Sequence, residues 1–375
     1  MHPEIVRPTM LLDETRVRAN IERMAAKARA NRVRFRPHFK THQSAQIGEW
    51  FRAAGVSAIT TSSVQMAAYF AGHGWDDITV AFPANVREIG EINRLAAAVR
   101  LNLLVESLAA AQLLESQLAH PVGAWIEVDA GSGRSGVPWN GGGDLHALAA
   151  FLAGSSKLRL QGLLTHAGNT YAARGRDAVA AVHDETITRL QRLRNWLMEH
   201  GFLGLELSFG DTPACSMLDN WGDVDEARPG NFVFYDLTQM AIGSCIAADV
   251  GFVVACPVVA VHPERREIVL YGGAVHLSKD VLLQAGGLPS YGAVVPLHAG
   301  GWGDPLPGVW LRSLSQEHGV VAATAESWPP LAGVQVGDLL GVLPVHSCLT
   351  ADLLKEYVTL GGEHISMLRL PTGGG

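Results

Sequence analysis

The chain predicts a closed (β/α)8 barrel followed by a smaller, mainly β domain, and three observations carry that expectation. Eight short β-rich runs, most of them separated by Ala- and Leu-rich helical text, fill about 220 residues, the number and span a closed barrel needs. Beyond Cys245 helical periodicity gives way to alternating runs broken by Gly and Pro, which reads as β structure. A length of 375 residues with 48% hydrophobic and 17% charged residues supplies apolar material for two cores.

In chain order, Val17, Ile21, Met24, Ala25 and Ala28 recur at helical spacing, so a helix over 16–28 comes first. The barrel strands then follow: one ending at Lys40, and others at 57–60, 77–82, 100–105, 123–129, 158–165, 206–209 and 231–235. A doubly wound open sheet is the alternative, weakened because no Gly-rich dinucleotide fingerprint follows the first strand. Runs at 251–261, 266–271, 308–314, 336–343 and 363–370 build the β domain. The expected division is a barrel over 12–245 and a β domain over 246–375, joined by 1–11, with a frayed tail at 371–375.

The formal charge of −7 and the lack of a basic run exclude nucleic acid as the main partner, while small acidic substrates stay open. No apolar run reaches membrane-spanning length, and Met1-His2-Pro3-Glu4 does not start an export signal. The expectation is a soluble, cytoplasmic protein with no membrane partner. Cys215, Cys245, Cys256 and Cys348 lie far apart without a CxxC pair, so they are expected to be reduced, three of them in the core.

Polar residues gather at the expected strand ends, where barrel enzymes keep their chemistry. Lys40 stands between His38 and His42. Beside partly cationic groups an amine's pKa falls and a Schiff base becomes possible, whereas the plainer reading is a solvated surface lysine. Gly210-Asp211-Thr212-Pro213 and Gly230-Asn231 fit a phosphate held on backbone amides and a hydroxyl, or an ordinary turn. Arg134 is either a partner for a cofactor oxygen or a loop cap, with Asp129 either its partner or a group acting on substrate. Tyr171 is either a donor to a ring nitrogen or packing at the barrel mouth. His38, His42 and His166 either tune protonation or are satisfied histidines.

His346 and Cys348 are two apart after a strand, so both point to one side. An imidazole and a thiolate there suit Zn2+, with Mn2+ or Mg2+ as other divalent ions; the alternative is a buried His and a buried Cys. Residues 315–319 (SQEHG) supply either supporting partners or a polar turn. His276, Lys279 and Asp280 read as a solvated loop.

Together RPHFKTH, Arg134-Ser135-Gly136-Val137, THAGNTY, GDTP, NFVFYD, SQEHG and His346-Ser347-Cys348 resemble the fold type III pyridoxal-phosphate enzymes of the D-threonine aldolase and D-serine dehydratase group. The resemblance implies an alanine-racemase-like barrel with a C-terminal β domain, pyridoxal 5'-phosphate held covalently by Lys40, and a homodimer. It puts Arg134 near the cofactor's phenolic oxygen, Tyr171 near its ring nitrogen, and Gly210, Thr212, Gly230 and Asn231 around its phosphate. His346 and Cys348 become metal ligands. Two departures bear on substrate: Asp211 stands where related turns often carry Ser, and Gly272-Gly273 where relatives often have an Asp-Ala-Gly-type segment.

The expected activity is a lyase acting on a D-β-hydroxy amino acid of the D-serine or D-3-hydroxyaspartate type. Its products are a 2-oxo acid and ammonia. The alternatives are an aldolase giving glycine and an aldehyde, a racemase, which would need bases on both faces of Cα, and a non-catalytic pyridoxal-phosphate carrier.

Overall fold

The computed structural model describes residues 4–141, 143–284 and 286–369, so the expected tail at 371–375 lies outside the described residues. The chain forms two compact units. One comprises Glu22–Lys40 and Ile47–Gly230; the other comprises residues up to Ile21, Thr41–Gln46 and Asn231–Arg369.

In the first unit eight parallel strands form a ring. Taken around the sheet they are Arg34–Phe35, Glu226–Ala227, Glu206–Phe209, Leu158–Leu164, Val122–Asp129, Arg100–Val105, Asp77–Pro83 and Ile59–Thr61. A parallel bridge between His38 and Thr60 closes it, with Thr60 N donating to Pro37 O and Phe39 N to Thr60 O, both at 2.9 Å. Leu101, Leu103, Leu104 and Val105 are all buried, as a parallel sheet covered on both faces requires. Helices at Ala45–Ala53, Val64–Gly72, Ile89–Ala96, Leu108–Gln117, Gly143–Gly154, Arg176–Glu199 and Thr212–Met217 fill the intervals.

The eighth strand differs from expectation. It is Glu226–Ala227, paired with Arg34–Phe35 on one side and Ser208–Phe209 on the other. Residues Asn231–Val233 instead form a 3-10 turn, and Phe232, Val233 and Phe234 are fully buried. A short apolar run buries equally well as strand or turn, so periodicity could not separate the two. The barrel interior also holds charge. Glu226 accepts from Arg34 Nε at 2.7 Å and Arg36 Nε at 2.6 Å, and Arg36 Nη1 reaches Asp77 Oδ1 at 2.6 Å.

The first helix runs over Glu14–Asn31, and all five residues that predicted it are buried. In the second unit the strand Phe252–His262 is the spine of a nine-stranded, mostly antiparallel sheet. A register shift between Val258 and Ala260 lets it pair with Leu339–Pro344 along one half and Glu267–Tyr271 along the other. Thr9–Leu12 joins the same sheet between Phe252–His262 and Glu356–Thr359. Phe234, Phe252 and Tyr357 anchor its core, with ring centroids 5.1 and 5.4 Å from Phe234. No helix among the described residues is long and apolar enough to cross a membrane.

Candidate active site

Lys40 lies in the turn that follows the first barrel strand and the His38–Thr60 bridge, and the backbone before it is pinned on two sides. His38 N donates to Pro229 O at 2.9 Å and Phe39 N to Thr60 O. Phe39 is buried against Phe51, Phe70 and Trp75, with centroids 4.9 to 5.1 Å away, so the residue preceding the lysine is fixed by a full aromatic contact set. The flanking histidines are turn formers. Lys40 N donates to His38 Nδ1 at 3.3 Å, and Ser44 N donates to His42 Nδ1 at 3.2 Å. Both imidazoles are held neutral. Burial, then the charges of Lys40 and Arg228, push His38 well below its ordinary range, and burial takes His42 to about 3. This corrects the expectation that partly cationic histidines flank Lys40.

The other barrel residues fall into place around strand ends. His166 donates from Nδ1 to Gly210 O at 2.7 Å, and its ring lies 6.0 Å from that of Tyr171, in the short turn Gly168–Ala172. Its pKa is lowered to about 3, first by desolvation. Gly210 has no room for a side chain, because a Cβ would lie 2.7 to 2.8 Å from the Arg228 backbone. Asp211 caps the helix Thr212–Met217, its Oδ1 accepting from Ala214 N at 2.7 Å and from Thr170 Oγ1 at 3.0 Å. Burial raises it to about 6.

Arg134 pairs with Glu127 at 4.0 Å, not with Asp129. Asp129 Oδ1 instead accepts from the amides of Gly131, Ser132 and Gly133 at 2.9 to 3.0 Å, which shapes the loop that carries Arg134. Glu127, also bonded to Ser135 Oγ at 2.8 Å, and the buried Arg228, on Ser208 Oγ and Thr165 O, were missed by motif reading. These residues fit a dianionic phosphate ligand. Three cations, Lys40, Arg134 and Arg228, act on His38 and His166, giving the barrel mouth a positive local field in a chain of net charge −7. The turn's one acid has its Oδ1 committed to the helix cap.

In the second unit His346 precedes the helix Ser347–Leu354, whose second residue is Cys348. His346 Nδ1 bonds Asp280 Oδ2 at 2.8 Å, which fixes the ring and leaves Nε2 as the other donor atom. Asp280 is therefore not a member of a solvated loop. Burial disfavours the charged imidazole, yet its hydrogen bond to Cys348 and the charges of Cys348, Asp236 and Asp280 outweigh that and raise it to about 9. Around the thiol, Thr41 Oγ1 lies 3.2 Å and Asn231 Nδ2 3.7 Å from Sγ. Asn231 Nδ2 also donates to Asp236 Oδ2 at 2.6 Å and Ser347 Oγ at 2.9 Å, so its side chain belongs to the Cys348 network.

Gly272-Gly273 has a steric reason: a Cβ on Gly273 would lie 2.3 Å from Gln316 O, and the SQEHG segment accepts Gly272 N and Ala274 N on its backbone. His276 lies 3.6 Å from Glu317. Among the described residues no group of three or more His, Cys, Asp or Glu is arranged to hold a metal. The donor set is thus one imidazole and one thiol, a soft-to-borderline pair that leaves coordination positions open. Cys215 and Cys256 are buried, but Cys245 is only half-buried, so two rather than three of the remaining cysteines are core, and none forms a disulfide. A cavity of about 720 Å³ lined by Arg7, Tyr271, His276, Lys355 and His364, among others, contains none of the predicted site residues.

A closed barrel with a lysine in the turn after its first strand, and a β unit bearing a His-x-Cys pair backed by a carboxylate, define an alanine-racemase-like enzyme class with an added β domain. Residues 12–237 match the alanine racemase N-terminal domain and residues 251–360 the serine dehydratase domain, so the chain belongs to this fold type III pyridoxal-phosphate family. It is 30% identical over 368 residues to a D-threo-3-hydroxyaspartate dehydratase of Delftia sp. (strain HT23), covering 95% of this chain and 94% of that one. A D-serine dehydratase of Dictyostelium discoideum is 24% identical over 387 residues, covering 95% and 94%. The solved structure of the Delftia enzyme matches with a TM-score of 0.89 at 29% identity over 98% of each chain, and a mutant of it solved in a metal-free form matches equally well.

Proposed function

We propose that this chain is a pyridoxal-phosphate- and metal-dependent lyase that dehydrates a small D-β-hydroxy amino acid, of the D-serine or D-3-hydroxyaspartate type, to a 2-oxo acid and ammonia. The observation that carries the reading is His346, oriented by Asp280 at 2.8 Å and set beside Cys348. A racemase or a cofactor carrier has no equal use for an imidazole–thiol pair with a carboxylate behind it; an aldolase could use the same pair to acidify the β-hydroxyl and is the second reading.

In this reading Lys40 would hold the cofactor, and its amine would move the proton at the substrate's Cα. Arg134, Tyr171, Gly210, Thr212, Gly230 and the backbone of Asn231 would bind the cofactor, the Asn231 side chain being committed to Asp236 and Ser347. His166 stays neutral across the working pH range, because an imidazole lowered to about 3 takes up no proton near neutrality. Bound pyridoxal phosphate supplies an electron sink for charge at Cα. A divalent cation on His346 and Cys348, taken here as Zn2+, supplies Lewis acidity to a β-hydroxyl. Asp280 keeps the His346 ring in register for that ion. The same reading takes the protein to be a cytoplasmic homodimer, the second part of which sedimentation of the purified chain tests.

The test is to incubate the protein, loaded with pyridoxal phosphate and Zn2+, with D-serine, D-threonine and D-3-hydroxyaspartate in D2O and follow products by NMR. A 2-oxo acid is the expected product. Glycine with an aldehyde would make the protein an aldolase, deuterium at Cα without cleavage a racemase, and no change with any substrate a carrier.

A further inference from the structure

The two side chains assigned to the metal are supported in opposite electronic senses. Behind His346 stands a carboxylate: Asp280 accepts from Nδ1, which makes the imidazole a stronger donor. Around Cys348 stand a hydroxyl and an amide, Thr41 Oγ1 at 3.2 Å and Asn231 Nδ2 at 3.7 Å. A thiolate bound to a cation has no proton to give, so in that state the Thr41 hydroxyl is the donor.

The amide's orientation is fixed by its surroundings. Asn231 Nδ2 donates to Asp236 Oδ2 at 2.6 Å, and Asp236 accepts in addition from Ser347 N at 2.9 Å. Flipping the amide would turn its carbonyl oxygen against a carboxylate. Thr41, Asp236 and Ser347 are at most 1% exposed and Asn231 is 5% exposed, so the groups beside the half-buried Cys348 sulfur are themselves shielded from solvent, which strengthens the hydrogen bonds they make. Packing alone gives no reason for a hydroxyl at Thr41, since valine has the same shape.

We infer that Thr41 is a positioning residue for the metal, donating a hydrogen bond to the Cys348 sulfur that draws charge off the thiolate and leaves a bound cation more Lewis-acidic, while Asn231, its two amide protons committed to Asp236 and Ser347, forms the fixed wall beside that sulfur. This rests on the assignment of Cys348 as a ligand and adds what sets the ion's strength. Thr41 directly follows Lys40, so one five-residue stretch, His38-Phe39-Lys40-Thr41-His42, serves both cofactor capture and metal tuning.

The test replaces Zn2+ by Co2+ in the pyridoxal-phosphate-loaded enzyme and records the thiolate-to-cobalt charge-transfer band as a difference spectrum against the metal-free protein. In Thr41→Val the band is expected at longer wavelength, because a thiolate without its donor gives up an electron more readily. In Thr41→Ser, which keeps the hydroxyl, it is expected at the wild-type position. The zinc enzyme's kcat is expected to fall about 10-fold in the valine variant and to recover in the serine variant. If the valine variant does not fold, Thr41→Ala removes the same donor and carries the same expectation. A band that stays at the wild-type position in the valine or alanine variant overturns the inference while leaving Cys348 a ligand. No charge-transfer band in the wild-type protein overturns both the ligand assignment and the inference.

Discussion

His166 in the barrel unit and His346 in the β unit are both half-buried, and they end on opposite sides of neutrality. The first is lowered to about 3: burial opposes its charge, its Nδ1 donates to the neutral Gly210 carbonyl, and the charges around it are Lys40, Arg134 and Arg228. The second is raised to about 9, because Cys348, Asp236 and Asp280 outweigh the same burial penalty. Burial sets the size of the stakes, and the sign of the neighbouring charge decides the outcome. One unit is thus organised to receive an anion and the other a cation.

That contrast breaks first if the two units' assigned groups prove interchangeable. Lys40→Ala is expected to lose covalent cofactor capture, read as loss of the bound cofactor's absorption band, and to lower elimination by about 10^3-fold or more. It should still bind Co2+. Cys348→Ala is expected to do the reverse, keeping the cofactor band while losing Co2+ charge transfer and elimination. Loss of cofactor colour in the cysteine variant, or full activity in it, would collapse the distinction.

A stability measurement sharpens the comparison on the barrel side. Glu226 is fully buried between Arg34 and Arg36, whose cations hold its carboxyl below the usual range despite desolvation. Glu226→Gln leaves Arg36 facing the interior with one counter-charge fewer and is expected to destabilise by about 3–5 kcal/mol in urea unfolding. A loss below about 1 kcal/mol would mean that Asp77 alone satisfies Arg36.

The smallest expected effect lies in the pH profile of stability. His166 is lowered in the fold, so between about 6.5 and about 3 the unfolded chain binds the extra proton, and stability falls as the pH drops through that window. Asp211 is raised to about 6, so the folded chain holds its proton longer, and its contribution is lost as the pH rises from about 4 to about 6. Asp211→Asn keeps the acceptor for Ala214 N and removes the buried charge. It is expected to stabilise by about 2 kcal/mol at pH 7.5 and by little at pH 4, measured by denaturation at both. A gain equal at both pH values would remove the charge from the explanation.

Several parts of this protein were legible from local pattern. The helical spacing of Val17, Ile21, Met24, Ala25 and Ala28 is the buried face of Glu14–Asn31. The β-rich runs expected at 100–105 and 123–129 are the barrel strands Arg100–Val105 and Val122–Asp129. Lysine after the first strand and His-x-Cys after a late one were visible because each group's position depends only on its own few residues.

The rest needed the tertiary structure, because its partners are far apart in the chain. Asp280 meets His346 across 66 residues and Thr41 meets Cys348 across 307, and neither pair leaves any periodicity or spacing to read. The apolar run at 231–235 could not declare itself a turn, since only pairing by Glu226–Ala227 shows which segment completes the ring. The protonation of the histidines was equally hidden. Composition says that an imidazole is present, but its charge depends on which distant groups the fold brings beside it.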